Sequence, residues 1–278
     1  MAFLFMEEFV CFNGDMISKG QAILTADNRG FKYGDGVFET IKWKNDRIIL
    51  GEYHFDRLFN SLKLIQINAD SISSELFEKS ISDLCIRNKS NDLARVRLAV
   101  YRGKNNKALY LIEAQSLEKE VADWNEKGWT IDLHPYVRKT CDVYANLKTA
   151  NYLPYVMAEL YKQERELDEC LILNSSNNIC DGSISNIFIL NNKVIFTPAL
   201  SQGCINGVIR RFVIEELKKH NYVLKQGVIS VDMLLQADEV FLTNAIRGVK
   251  WVKSFREKEY DCTETRNIYN ILIKGFGQ

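Results

Sequence analysis

The sequence predicts an α+β protein of two domains, and three observations lead there. Its first hundred residues alternate short β-type runs with turn residues and two stretches of helical periodicity. Its length of 278 residues exceeds what one small core accommodates comfortably. A segment rich in Glu, Lys, Asp and Asn near residues 115–127 then separates this half from a second series of strands and helices. The expected layout is a smaller domain over 1–117, a linker over 118–127 and a larger domain over 128–278.

In chain order, an extended run over 8–12 enters the turn Asn13-Gly14-Asp15. A second run over 37–43 enters Asn45-Asp46, and a third follows over 47–50; together they read as an antiparallel meander. Phe55, Leu58, Phe59 and Leu62 share one face of a helix predicted over 53–64. Leu76, Ile81, Leu84 and Cys85 do the same over 74–87, so each helix has an apolar stripe with which to cover a sheet. Alternation over 94–101 and an apolar run over 109–114 mark two further strands around a polar loop. Beyond the linker, strands are expected over 129–135, 170–174, 186–190, 194–197 and 239–243, with helices over 152–166 and 207–220. The first of these helices has Leu153, Val156, Met157 and Leu160 as its apolar face, and Pro154 is tolerated in its first turn.

Thirty-six basic and thirty-six acidic residues cancel, so no net field draws the chain to nucleic acid or an anionic membrane. A small-molecule partner is expected instead. The apolar start from Met1 to Met6 lacks a basic flank and a cleavage site, and reads as a strand rather than a signal peptide or a membrane span. Seven scattered cysteines without a Cys-x-x-Cys pair read as free thiols of a cytoplasmic protein, and three distant histidines without ligand spacing predict no metal site.

Phosphate binding calls for several backbone N–H donors together, which a helix start supplies along with a favourable dipole. Gly203-Cys204-Ile205-Asn206-Gly207 runs into the helix expected over 207–220, and Thr243-Asn244-Ala245 forms a second donor loop after a strand. Lys148 stands just ahead of the helix over 152–166, with Asn151 placed to cap it. A partly desolvated lysine loses its proton near neutral pH and condenses with carbonyl compounds. Asp181, in Cys180-Asp181-Gly182, reads locally as a turn residue.

Four segments in order change the weight of these separate signals. Asp27-Asn28-Arg29-Gly30-Phe31-Lys32-Tyr33-Gly34-Asp35-Gly36-Val37-Phe38-Glu39-Thr40, His54-Phe55-Asp56-Arg57-Leu58, Lys148-Thr149-Ala150-Asn151-Tyr152-Leu153 and Asp181-Gly182-Ser183-Ile184-Ser185-Asn186-Ile187-Phe188 together resemble the fold type IV pyridoxal-phosphate enzymes, the class IV aminotransferases. The resemblance implies a two-domain, D-amino-acid aminotransferase-like fold, with a smaller α/β N-terminal domain and a larger C-terminal domain built on a mixed sheet or barrel. It implies pyridoxal 5'-phosphate as cofactor, with Lys148 bound to it covalently and moving protons. Arg57, the amides of Ile205 and Asn206, and the loop Thr243, Asn244 and Ala245 would hold the phosphate, and Tyr152 the phenolic oxygen. Ser185 and Asn186 would bind the cofactor alongside Asp181, whose carboxylate keeps the ring nitrogen protonated; the family usually has glutamate there. A homodimer is also implied, with the active site between domains near the subunit boundary, Tyr33, Tyr101 and Tyr110 lining it and Glu39 on the substrate side.

The reaction is narrowed by spacing. Lys148 and Asn151 are separated as in D-amino-acid aminotransferases and 4-amino-4-deoxychorismate lyases, one residue closer than in branched-chain aminotransferases. Residues 204–210 and Asn244-Ala245 resemble the lyase more, whereas Lys104-Asn105-Asn106-Lys107 replaces its glycine-rich stretch. The expected reaction is therefore release of p-aminobenzoate and pyruvate, with amino transfer between an amino acid and a 2-keto acid as the alternative; a cofactor-binding protein without catalysis is a third reading. Arg95, Arg97, Arg102 and Arg247 are the candidate anchors for a substrate carboxylate, since a guanidinium grips one bidentately.

Overall fold

The computed structural model describes residues 8–21, 25–90 and 92–275, so the strand expected ahead of Glu8 lies outside the described residues. The chain forms two compact units, one of residues up to Val121 together with Lys148–Asn151, the other of Ala122–Leu147 and everything from Tyr152. Among the described residues no helix is long and apolar enough to cross a membrane.

The first unit contains β1 (Phe9–Phe12), β2 (Asp15–Ser18), α1 (Arg29–Tyr33), β3 (Gly36–Lys44), β4 (Arg47–Ile48), α2 (Gly51–Leu64), α3 (Ser74–Arg87), β5 (Leu93–Arg102) and β6 (Ala108–Ser116). Its strands form one sheet in the order β2-β1-β6-β5-β3-β4, antiparallel throughout. Helices α2 and α3 pack on it through the predicted stripes, and Phe77 is the hub. Its ring stacks with Phe55 and Phe59 at 6.3 Å and meets Tyr110 edge-on at 5.1 Å. Tyr110 is thus a core residue, not a pocket residue, because its ring fills the space beneath α3.

A four-residue excursion completes this unit. Lys148 O accepts from the Phe38 N–H, Ala150 N–H donates to Gly36 O, and Thr149 pairs opposite Val37, so the start of β3 is bridged by the lysine segment.

The second unit contains β7 (Trp129–Lys139), α4 (Leu153–Glu164), β8 (Glu169–Asn174), β9 (Ile179–Gly182), β10 (Asn186–Asn191), β11 (Val194–Pro198), α5 (Val208–Lys219), β12 (Val223–Gly227), α6 (Val231–Leu235), β13 (Glu239–Asn244), β14 (Gly248–Phe255), β15 (Lys258–Glu259) and α7 (Thr263–Gly275). The sheet order is β12-β11-β10-β13-β14-β7-β8-β9, with β15 on β14. The β11–β12, β14–β7 and β7–β8 pairs are parallel and the rest antiparallel, which makes it a mixed sheet, and it curls until β9 returns beside β10.

Two irregularities matter later. Between Leu133 and Arg138 strand β7 loops out while β8 advances only from Leu171 to Leu173, and His134 Nδ1 closes the excursion by accepting the Tyr136 and Val137 amides at 3.1 and 2.9 Å. On β9 an extra residue, Cys180, lies between Ile179 opposite Leu173 and Asp181 opposite Ile172, a β-bulge. Asp181 is therefore a strand residue and not the turn residue its Asp-Gly pair suggests. The segment expected as a linker is also packed: Trp124 stacks on Trp251 at 6.3 Å, and Asn125 binds Trp251 through both side chain and backbone.

Helix α4 departs from its predicted orientation. Leu153, Val156, Met157 and Leu160 face outward, 42–64% exposed, while Tyr155, Ala158 and Lys162 are buried. The stripe is apolar but the polar partners are on the other side, and those contacts decide which face turns in.

Gly34 closes α1 in the left-handed region at φ 63°, and a Cβ there would stand 2.9 Å from the Asn151 nitrogen. Gly34→Ala is expected to cost about 1 kcal/mol from backbone strain alone and to loosen residues 148–151. Amide exchange at Ala150 should quicken while exchange on β5 and β6 stays slow.

Candidate active site

In the first unit the chemistry gathers around Glu39. Residues 54 and 57 lie three apart on α2 and so share the face that meets β3, where Glu39 stands. Arg57 grips Glu39 bidentately, Nε to Oε1 at 2.8 Å and Nη2 to Oε2 at 2.5 Å, and His54 Nδ1 lies 2.7 Å from Oε2. Glu39 is 1% exposed; burial raises its pKa, but the Arg57 charge and the hydrogen bonds from His54 and Arg57 hold it down to about 2. The carboxylate expected on the substrate side is thus the partner that fixes Arg57, and both its oxygens are committed to that task.

Lys148 Nζ lies over the Phe38 ring at 4.4 Å, and the Arg97 guanidinium over the same ring at 4.6 Å. The sheet explains this, because Phe38 pairs with Ala99 and Thr40 with Arg97 along β3–β5. Among the four anchor candidates, Arg97 alone shares a ring with Lys148. Arg102 is committed instead, with Nε on Asp35 at 2.9 Å, Nη1 on Gln66 O at 2.9 Å and Nη2 on Ile65 O at 2.7 Å, which leaves it no edge for a bidentate grip. Arg95 is exposed on β5 opposite Lys42, and Tyr33 is 64% exposed with Arg29 over its ring. Tyr101 is half-buried against Gly30 and Gly36.

In the second unit the centre is Asp181, 3% exposed. Its Oδ2 accepts from Lys139 Nζ at 2.6 Å, from the Tyr155 hydroxyl at 2.7 Å and from the Ile205 N–H at 3.1 Å; Oδ1 takes only the long contact of 3.3 Å from that same N–H. Lys139 also donates to the Tyr155 hydroxyl, and Tyr152 stacks on Tyr155 at 4.2 Å. Burial, then the Asp181 charge, push the Tyr155 phenol well above its usual range, so it stays a donor. Lys139 and Tyr155 escaped the sequence reading. Tyr155 lies three residues after Tyr152 on α4 and was open to a helical-face argument; Lys139 had no such signal, since a β7 loop-out aims it.

The first donor loop differs from expectation. Ile205 N–H is taken by Asp181, and Asn206 N–H donates to Asn146 O at 2.9 Å, so neither amide is left for a phosphate. The next helix start is different. Gly207 caps α5 without a side-chain bond, the first turn carries no acidic residue, and Val208, Ile209 and Arg210 are buried there. A buried helix end without a cap leaves its first N–H groups in want of an anion. A Cβ on Gly207 would lie 2.0 Å from Asn186 Oδ1, so only glycine lets that loop approach.

Asn186 also donates to Thr243 O at 2.9 Å and to Thr243 Oγ1 at 3.1 Å, tying the two donor loops together. Asn244 Oδ1 accepts the Ile246 and Arg247 amides at 3.1 and 2.8 Å, shaping the turn that holds Ala245, and Arg247 lies over Trp129 at 5.5 Å. Ser185 is not available to a cofactor, because its hydroxyl donates to buried Glu169 at 2.5 Å. Each unit by itself carries part of what an aromatic aldehyde phosphate calls for: the first a lysine beside an aromatic ring, the second a buried carboxylate with one little-used oxygen and an uncapped helix start.

The sequence pattern of the family described as amino-transferase class IV matches residues 36–255. Over 257 residues the chain is 30% identical to aminodeoxychorismate lyase of Bacillus subtilis (strain 168), covering 89% of this chain and 87% of that one. It is 27% identical over 252 residues to D-alanine aminotransferase of Bacillus licheniformis, covering 86% of each. Its fold superposes on branched-chain aminotransferase from Thermoproteus uzoniensis with norvaline at a TM-score of 0.87 and 22% identity, covering 98% of this chain and 95% of that one.

Burial lowers the pKa of His54 and of His134, and the Arg57 and Lys148 charges add to the effect at His54. Below about pH 6.5 the unfolded chain therefore binds protons that the folded chain refuses, so this stability is present above that pH and lost as pH falls. The unfolding free energy from urea titration is expected to drop between about pH 7 and pH 5, by up to about 1.4 kcal/mol per pH unit for each histidine. His54→Gln, which keeps a donor for Glu39, should flatten the slope; an unchanged slope would place the titration elsewhere.

Proposed function

Because the chain belongs to the class IV aminotransferases, an enzyme family that depends on pyridoxal 5'-phosphate, we propose that Lys148 holds this cofactor and that the reaction is the 4-amino-4-deoxychorismate lyase reaction. The observation that carries the reaction is the 30% identity to the Bacillus subtilis lyase across nearly the whole chain. Bound here, pyridoxal phosphate supplies an aldehyde that condenses with amines and a ring that accepts the electron pair released when a proton leaves the attached carbon.

The chain's own residues do the rest. The Val208 and Ile209 amides, the loop Thr243 to Ala245 and Arg57 would hold the phosphate, Tyr152 would donate to the phenolic oxygen, and Asp181 Oδ1 would serve the ring nitrogen. Lys148 Nζ, freed when the substrate amine takes its place, removes the proton from the carbon bearing that amine. The bond from the six-membered ring to the enolpyruvyl oxygen then breaks, the ring becomes aromatic, and the departing pyruvate enolate takes up a proton. Arg97 grips a substrate carboxylate. In the alternative, supported by the D-alanine aminotransferase relative, Lys148 instead returns its proton to the cofactor and the nitrogen stays behind.

The proposal extends to assembly and location. The exposed stripe of α4 is the kind of surface a second copy covers, as the family resemblance implies, and seven free cysteines suit a reducing cytoplasm.

Aminodeoxychorismate added to the purified holoenzyme is expected to yield p-aminobenzoate and pyruvate in equal amounts. Conversion of the yellow lysine-bound cofactor to its amine form by D- or L-amino acids alone would favour the transferase. Lys148→Ala should lose the yellow band and at least about a thousandfold in rate; a retained band would overturn its assignment. Sedimentation of the native chain should give about twice 32.1 kDa, and the double change Val156→Glu, Leu160→Glu should give monomers.

A further inference from the structure

The arrangement around Asp181 goes past what a ring-nitrogen partner requires. A carboxylate there would stabilise a protonated ring nitrogen most if its negative charge were unshared. Here Oδ2 is taken by a lysine ammonium, a phenol and an amide, all from within the second unit. Lys139 is 8% exposed, and its remaining donors meet the Tyr155 hydroxyl and Ala145 O at 3.3 Å. The two other titratable groups packed nearest, Cys180 and Cys204, are buried thiols pushed far up and so uncharged, while Arg210 adds a second cation within electrostatic range of Asp181. Among the described residues of this cluster Asp181 is thus the only anion beside two cations, close to an uncapped helix start.

We propose that Lys139, supported by Tyr155, is a positioning residue that turns Asp181 Oδ1 outward and partly neutralises it, so that the cofactor's ring nitrogen is held only partly protonated. This rests on the reading that Asp181 faces that nitrogen. A cation within a few ångströms of a carboxylate lowers its proton affinity and opposes a further positive charge nearby, by about one to three pH units. The ring becomes a weaker electron acceptor. Such a ring suits an elimination driven by aromatisation of the substrate, where the released electron pair leaves with pyruvate, better than a transfer in which the ring must hold that pair until the cofactor is reprotonated. Lys139 is therefore a determinant of reaction class that acts through Asp181 and touches no substrate atom.

The test reads the ring nitrogen directly, by nitrogen NMR of holoenzyme reconstituted with pyridoxal phosphate labelled with 15N in the ring, from about pH 6 to about pH 9. In the native enzyme the resonance is expected to titrate within this range. Lys139→Gln, which keeps a donor for Asp181 but removes the charge, should raise the midpoint by about one unit or more; Lys139→Arg should restore the native value. A merely structural role would lower the melting temperature and the affinity for cofactor and leave the midpoint where it was, which would overturn the proposal. Asp181→Asn separates the two levels: if it leaves the nitrogen resonance unmoved, the reading of Asp181 itself fails, whereas a response to Asp181→Asn without one to Lys139→Gln sinks only the role of Lys139. Should Lys139→Gln not fold, a native resonance at its protonated limit across the whole range is enough to reject the idea.

Discussion

A carboxylate taken out of water carries a penalty of several kcal/mol unless charge and hydrogen bonds replace its hydration. Among the described residues this chain meets that constraint at four buried carboxylates, Glu39, Glu169, Asp181 and Glu239, and the surroundings of Glu39 and Asp181 follow from it. Glu39 is held by a bidentate guanidinium and an imidazole, Asp181 by an ammonium, a phenol and an amide. In each case the carboxylate leaves its neighbours little freedom. Arg57 and His54 must lie one turn apart on α2, and Lys139 must arrive from a different strand than Asp181. Removing one partner from such a set strands the other charge, at about 3–5 kcal/mol, so these contacts hold the backbone around the chemistry as firmly as the apolar core does.

Regular structure alone would not bring the second set together. On parallel β7 and β8 the side chains advance in step, and on an unbroken β9 they alternate strictly. The loop-out at His134 to Val137 and the bulge at Cys180 break both patterns at the level where Lys139 and Asp181 meet. His134 accepts two amides of its own excursion, so the irregularity is satisfied locally and demands no partner from elsewhere. Bulges re-aim side chains at the expense of ladder hydrogen bonds, and here the two re-aimed residues are a buried ion pair.

These same features mark the limit of what could be read from the sequence. Amphipathic periodicity located α2 and α3 to within two residues, and alternation found β3, β5 and β6, because in the first unit one sheet face and two helices follow the simple periods. Lys148, Arg57 and Asp181 were legible as candidates through segment resemblance. Strands β9, β12 and β14 and helix α7 were not, since β9 is four residues interrupted by a bulge and β12 is largely polar. The α4 stripe was found but turned the wrong way: periodicity identifies a face and not the side it packs on, and Tyr155 and Lys162 supplied the contacts that decided it. The Ile205 and Asn206 amides were misassigned because local sequence shows where a helix begins but not which donors a neighbouring carboxylate or carbonyl has already engaged.

On the proposed reading of Asp181, the shortening from the glutamate usual in the family is best understood with its neighbours rather than as a loss. An aspartate withdraws the carboxylate by about one methylene, and the space beside it is filled by the Tyr155 ring, whose hydroxyl then holds Oδ2 while Tyr152 stacks on the opposite side. The exchange replaces reach with rigidity. A longer, singly anchored carboxylate follows the ring and keeps its full charge; a short one clamped by Lys139 stays in place and shares its charge. The first property serves a reaction in which the cofactor itself stores the electron pair. The second is sufficient where the substrate becomes aromatic as the pair departs, because the free energy of aromatisation then lowers the barrier that a weaker ring leaves standing.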